Sequence, residues 1–548
     1  MNLLSELTNP SSPQVPRQAI VVGSGPAGIS CATALLARGV PVTMLDGGLE
    51  LEPERTELLA ALRAKPSHAW TSADTAFLKH NIAPDRKGVG VKYVYGSDYP
   101  YRDVQRFMPM SKSGVDTTAS LAIAGFSTVW GSSILPYHDD DITDWPFSIS
   151  EIADHYRAVL RFMPASAVNE ELASLLPLYT DRNAPLKPSA QAGSFLRHLR
   201  LSADRLHSRG IHFGASRLAV REKPRSTADD NPATPPCAYC GLCMYGCPYN
   251  LIYSTDQTLA QLKTNPLFTH LPGVIVDSIS ESPAHVQLSA RLRDTETPLR
   301  LYASRAYIGA GVLSTARILL NSLPSLTQPL TLRDSQYFLF PFLRFPGSPG
   351  VQSESLHTLA QLFLEIRDPA VSPKTVHLQV YTYNDLFAAA LAKTAGPLAP
   401  LAKPLMGPLL QRMLVMQGYL HSDFSSRVEI RRAPDGHLSL TAIPAQDNLT
   451  KRMIRRVTRK LARNARHLRG IPLSPMTHIP DAGRGYHTGG TFPMRTTPTS
   501  PSETDLLGRP KGLSRTHLID SSVLPSIPAT TITLSVMANA HRIGSLPP

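Results

Sequence analysis

Ala19-Ile-Val-Val22, Gly23-Ser-Gly25-Pro-Ala-Gly28, Ile29 to Gly39, Val40 to Leu45, then Asp46: this run of residues decides the fold. The first four residues are apolar and read as a buried parallel strand. The stretch ISCATALLARG reads as a helix that stops at Gly39. Residues 40–45 read as a second strand, ending at an acid. Strand, glycine turn, helix, strand and acid together predict a dinucleotide site. The glycines permit a tight turn and close backbone approach to a pyrophosphate. The start of the helix leaves N–H groups free for that anion. Asp46 stands where a ribose-binding carboxylate is expected. Gly23, Gly25, Gly28 and Asp46 are therefore predicted cofactor contacts. This segment alone does not choose between FAD and NAD, and a glycine turn with no ligand is the alternative.

The chain has 548 residues, too many for one core, so two closely joined domains are expected. Hydrophobic residues make up 42% and charged residues 18%, a globular rather than a disordered composition. The net charge of +13 is compatible with an anionic partner without naming one. The first residues, MNLLSELTNPSSPQVP, have no basic start and no long apolar run, so no secretory signal is expected. No uncharged apolar run is long enough for a membrane span. The expected location is cytoplasmic, with contact to a membrane surface left open.

Four distant segments extend the reading. Residues 124–147 read AGFSTVWGSSILPYHDDDITDWPF, where Gly125, Ser127 and Gly131 let backbone approach a flat ligand beside Trp130. Residues 305–322, RAYIGAGVLSTARILLNS, predict a strand, a glycine turn and a helix. Residues 486–495 read Tyr-His487-Thr-Gly-Gly-Thr-Phe-Pro-Met494-Arg, and 518–543 read LIDSSVLPSIPATTITLSVMANAHRI. In this order the segments resemble the glucose–methanol–choline (GMC) oxidoreductases. The resemblance implies FAD as cofactor. It implies that Gly125, Ser127, Trp130 and Gly131 wrap the flavin, and that Asp520 hydrogen-bonds its side chain. It also implies an enzyme that takes hydride from an alcohol carbon, with His487 as the base for the hydroxyl proton. Histidine suits that role because its pKa lies near working pH. The family pairs this His with a second His or an Asn. Here Thr531 falls at that position, which can bond a substrate oxygen but cannot act as a base. His541 and His478 have no positional support as substitutes.

Residues 237–248 contain Cys237, Cys240, Cys243 and Cys247 in the spacing C-x2-C-x2-C-x3-C-P. This is the run seen in bacterial ferredoxins, and four cysteines so close together do not make a disulfide framework. One iron–sulfur cluster is the first reading, structural or redox thiols the second. Zinc fits less well, because its ligand pairs usually stand farther apart. A cluster would relay electrons from the flavin to an outside carrier and favour a dehydrogenase over an oxidase.

Residues 451–469, KRMIRRVTRKLARNARHLR, carry nine Lys or Arg and no acid, with Ile454, Val457, Leu461 and Leu468 on one helical stripe and Gly470 as the stop. The plain reading is a solvated helix packed on the substrate domain; the sharper one is a basic face for an acidic substrate, partner or lipid surface. Nucleic acid is not expected. Residues 386–420 are apolar but broken by prolines, so they read as a core insert or a flap. The stretches 4–16 and 223–236 read as a loose terminus and a surface linker.

The expected architecture is α/β. A Rossmann-type FAD-binding domain is built from discontinuous segments, 17–60, 119–150, 236–322 and 481–548. An α+β substrate domain with an antiparallel sheet takes 61–118, 151–235 and 323–480. The expected partners are a small-molecule alcohol, with a sugar or polyol favoured, and an unidentified electron acceptor. Alternatives on the same fold are an oxidase or a lyase, and a non-enzymatic electron-transfer or lipid-surface flavoprotein.

Overall fold

The computed structural model describes residues 8, 18–79, 92–181, 184–222, 236–386 and 406–547. Residues 223–235, 387–405 and all of 4–16 except Thr8 lie outside them, and so does most of what was read there as linker, flap and terminus.

The opening segment folds as read. Strand β1 (Ala19–Val22) leads through the glycine turn into helix α1 (Pro26–Ala37) and on to β2 (Val42–Asp46). Both strands are buried along their whole length. A parallel strand covered on both faces has no solvent side, which is why its sequence is a continuous apolar run. Three later strands complete the sheet: β3 (Phe268–Pro272), β4 (Arg305–Ile308) and β5 (Thr516–Leu518), in the order β5-β4-β1-β2-β3, all parallel. The chain thus returns to its first strand after more than 250 residues, and adds a last strand to the same sheet near its end.

Helix α2 (Val312–Ser322) follows β4, and α3 (Thr533–Ser545) packs along α1. The Ser30 hydroxyl donates to the Met537 carbonyl at 2.7 Å, and a Cβ on Gly544 would meet the Cys31 carbonyl at 2.8 Å, so the two helices touch backbone to backbone. Between β3 and β4 a three-stranded antiparallel meander, Val274–Glu281, Val286–Leu292 and Pro298–Ala303, forms the crossover and packs on α2.

The second large sheet is antiparallel and six-stranded: Gly470–Pro472, Tyr337–Arg344, Met413–Tyr419, Val376–Tyr381, Leu362–Ile366 and Ile211–Ala215. Side chains alternate across it. Phe338, Phe340, Phe342, Leu378, Val380, Leu414 and Met416 form a core with the helices Ala190–Arg200 and Leu449–Arg463. Tyr337, Gln379, Tyr381, Gln417 and Tyr419 point the other way, into a chamber described below. Each large side chain buried in such a core contributes about 1.5–3 kcal/mol.

Two expectations shift in detail. The hairpin read at 428–442 forms, as Arg427–Arg432 and Leu438–Ile443, but in a separate five-stranded sheet with Leu330–Asp334, Thr488–Gly489 and Met110–Ser113. Its Val428, Ile430, Leu438 and Leu440 belong to the core of the parallel sheet. The basic helix forms with the predicted apolar stripe buried, yet it ends at Arg463, and a short helix, Ala465–Leu468, follows. Arg469 takes the left-handed turn (φ 51°) and Gly470 already starts a strand. No helix among the described residues is long and apolar enough to cross a membrane.

Candidate functional site

Two neighbouring cavities adjoin one another. They share Pro26, Phe126, Tyr486, Ile532 and Thr533, so one elongated molecule can extend from the first into the second.

The first cavity opens over the glycine turn, and Gly23, Gly25, Asp46, Gly125 and Asp520 all line it. Gly23 has φ +100°, and a Cβ there would stand 2.4 Å from the Gly309 carbonyl oxygen. Gly28 does not line the cavity; a Cβ on it would meet the Gly23 carbonyl at 1.8 Å. Its role is to let the helix close on the turn. No side chain caps the start of α1 and no acid stands in its first turn. Its unpaired N–H groups therefore suit a pyrophosphate.

Asp46 caps the end of β2, accepting from the Gly48 N–H at 2.9 Å, with His270 Nε2 at 2.9 Å from its other oxygen. Asp520 is buried and accepts from Gly311 N–H (2.9 Å), the Thr315 hydroxyl (2.6 Å) and Ser522 N–H (3.0 Å). Burial pushes its pKa up. It ties β5 to the second glycine turn, Gly309-Ala-Gly311, which also lines the cavity. The uncapped helix, the close-packed glycines and these anchored carboxylates fit a dinucleotide.

Residues 124–131 bridge the two cavities. Ala124 N–H donates to Ser24 Oγ at 2.9 Å, which fastens the loop to the glycine turn. Ser127 Oγ donates to the Ala124 carbonyl and accepts from Thr255 N–H. Trp130 Nε1 donates to the Tyr253 carbonyl at 2.7 Å. Ser127, Trp130 and Gly131 all face the second cavity.

His487 and Thr531 line that second chamber together. The His487 ring stacks on Tyr419, with centroids 4.4 Å apart and planes at 17°. Its Nδ1 is buried without a hydrogen-bond partner, leaving Nε2 as the nitrogen for a ligand in the chamber. Burial, aided by the nearby His377, pushes its pKa down to about 3. The ring is thus neutral, with a lone pair available. Thr531 Oγ1 accepts from Leu135 N–H at 2.8 Å, so its own proton is free to be donated.

Behind His487 stands a row that the sequence reading missed. His377 Nδ1 lies 2.6 Å from Glu365 Oε1, both side chains fully buried on neighbouring strands. His377 also stacks on Tyr419 at 6.2 Å. Carboxylate, imidazole, phenol and imidazole therefore follow one another across the sheet. Burial raises the Glu365 pKa. The only sequence signal was the alternation of 376–383, in which His377, Gln379 and Tyr381 share a face. Lys92 and Arg484 also line the chamber and were missed. Lys92 Nζ donates to the Trp130 carbonyl at 3.0 Å, and burial lowers its pKa to about 8. Arg484 pairs with Asp116 at 3.1 Å.

His541 and His478 are elsewhere. His541 Nδ1 faces His155 Nδ1 at 3.0 Å, and His478 makes backbone bonds with Leu339; neither lines the chamber.

The cysteine run does not form the expected ligand cage. Among the described residues no three His, Cys, Asp or Glu side chains gather to hold a metal ion. The four thiols are free and partly buried among Trp70, Tyr95, Tyr249 and neighbouring apolar groups. Burial, with mutual repulsion, raises the pKa of Cys237 to about 11 and of Cys240 to about 12. Cys247 Sγ accepts from Leu251 N–H at 3.4 Å. Met244, in the same loop, lines the chamber.

No protein-family model matches the chain, and no curated protein matches it in sequence. Its fold is similar to that of solved structures at low identity. A pyridoxine 4-oxidase from Mesorbium loti aligns over 96% of this chain and 98% of its own, with 13% identity and a TM-score of 0.56. A formate oxidase aligns over 97% and 98%, again with 13% identity and a TM-score of 0.56. At that identity the likeness is one of fold.

Proposed function

We propose that this chain is an FAD-dependent enzyme of the GMC type that oxidises an alcohol carbon to a carbonyl. The observation that carries this reading is the shared wall of the two cavities, one over the glycine turn of β1 and the other lined by His487 and Thr531. The motif resemblance and the fold likeness to two oxidases support it. Gly23, Gly25, Asp46 and Asp520 would hold the nucleotide end; Gly125, Ser127, Trp130 and Gly131 would flank the ring. When bound, FAD supplies the hydride acceptor.

The chain's own work is proton handling and positioning. A neutral His487 accepts the substrate hydroxyl proton at Nε2. Thr531 donates to the same oxygen, held in place by Leu135. Tyr337, Gln379 and Gln417 offer hydroxyl and amide groups to a substrate with several hydroxyls, which supports a sugar or polyol. The parallel sheet and its helices form the FAD domain in this reading, and the six-stranded sheet roofs the substrate.

The test is anaerobic addition of candidate alcohols to the holoenzyme while the flavin absorbance is followed. Bleaching by an alcohol is expected, and His487→Ala should slow it by about 10²–10⁴-fold with FAD retained. A flavin that no alcohol or polyol reduces would sink the proposal. An external carrier remains the proposed acceptor. The likeness to two oxidases favours oxygen as the second reading, and peroxide formation in air separates the two.

A further inference from the structure

The helix Leu449–Arg463 and the short helix after it cover the face of the six-stranded sheet opposite the chamber. Their charge is therefore on the far side of the sheet from the substrate. Lys451, Arg455, Arg459 and Arg463 recur every four residues along one exposed stripe. None of these four forms an ion pair with a described residue. Like charges at this spacing repel and weaken a helix. Solvation alone would be served as well by alternating signs. Beyond the helix end, Arg466 and Arg469 are also exposed, and Arg209 Nη1 donates to Asn464 Oδ1 at 2.6 Å, bringing a further guanidinium to the same corner.

The same corner exposes large apolar side chains. Leu201, at the end of the helix Ala190–Arg200, is 84% exposed; Phe345 is 47% and Ile471 36% exposed. Their backbones are joined to the basic elements. Phe345 N–H donates to the Arg469 carbonyl at 2.8 Å, and Ile471 sits on the edge strand that packs against both basic helices. Arg344, beside Phe345, donates to the Gln191 carbonyl and approaches His198 Nδ1 at 3.0 Å, which fixes the helix carrying Leu201 next to them. Arginines beside protruding apolar groups, on a face that does not serve the chamber, match the two demands of a lipid surface: phosphate-bearing headgroups and an acyl boundary. A nucleic acid would use the arginines and gain little from the protruding apolar side chains.

We propose that this face docks the protein on an anionic lipid bilayer, with Leu201, Phe345 and Ile471 entering the headgroup layer. The test is co-sedimentation of the full-length holoenzyme with vesicles of phosphatidylcholine alone or with about one-third phosphatidylserine. Binding to the anionic vesicles only is expected, falling at least about tenfold when salt is raised well above physiological strength. Arg455→Glu with Arg459→Glu should abolish it. Leu201→Ser with Phe345→Ser should weaken it at least about fivefold. Both pairs are solvent-exposed, and unchanged FAD content and alcohol-dependent bleaching would show that the variants are folded. Absence of binding to anionic vesicles at low salt would overturn the proposal. So would binding that needs the arginines but ignores the apolar pair, because that is the behaviour of a polyanion site.

Discussion

His487 carries an unpaired buried Nδ1 and stacks on Tyr419, so its ring is placed by packing rather than by a hydrogen-bonded carboxylate. Thr531 is placed by one backbone bond. Thr531→Val keeps the shape but orphans the Leu135 N–H and removes the proposed donor to substrate. A loss of about 1–3 kcal/mol is expected in kcat/KM, roughly 5- to 150-fold, with FAD content unchanged. Glu365 and His377 touch neither cavity's reacting end, yet they back Tyr419. Glu365→Gln puts an amide where buried His377 has its carboxylate partner, and about 1–3 kcal/mol of stability should be lost. Because His377 helps to depress the His487 pKa, the acid limb of the rate profile for flavin reduction should also move in this variant. An unmoved profile would mean that the pair only packs.

At the scale of elements, the glycine turn depends on close backbone contacts, both within itself and with Gly309. The Gly28 Cα lies so near the Gly23 carbonyl that even a methyl group cannot enter without moving the backbone. Gly28→Ala is expected to release bound FAD and lower Tm by several degrees, whereas Gly39→Ala, with nothing within 4 Å, should cost only the strain of its positive φ. Retention of FAD by Gly28→Ala in a thermal-shift and absorbance assay would contradict this. The basic helix shows the complementary case. Its apolar stripe was legible from spacing, because a helix repeats every 3.6 residues whatever it packs on. What it covers was not legible, because the sheet beneath it is assembled from five other parts of the chain.

For the whole molecule, burial of neutral histidines contributes to the response to acid. His487 is held at about 3, His357 at about 4 and His517 at about 4, each mainly by burial. Depressed histidines favour the folded state above the unfolded value near 6.5 and lose that contribution as pH falls toward 4 and 3. His357 lies outside both cavities. Tm measured from pH 7 to pH 4 should therefore fall less steeply for His357→Gln than for the unmodified protein. Equal slopes would exclude a contribution from this residue. FAD that binds only the folded chain should raise stability by about 2.7 kcal/mol at a hundredfold excess over Kd, read as a concentration-dependent Tm.

The sequence by itself determined the local units: the strand–turn–helix openings at 19–37 and 305–322, the glycines that those turns require, and the buried stripe of the basic helix. Each follows from steric and periodic rules that act within a dozen residues. The motif order also identified His487 and Thr531, which line one chamber. Only the tertiary structure decided the row from Glu365 through Tyr419 and the entry of Lys92 and Arg484. Those outcomes depend on which strands become neighbours. Cross-strand register and burial are settled by the whole core, and no short stretch of chain contains them.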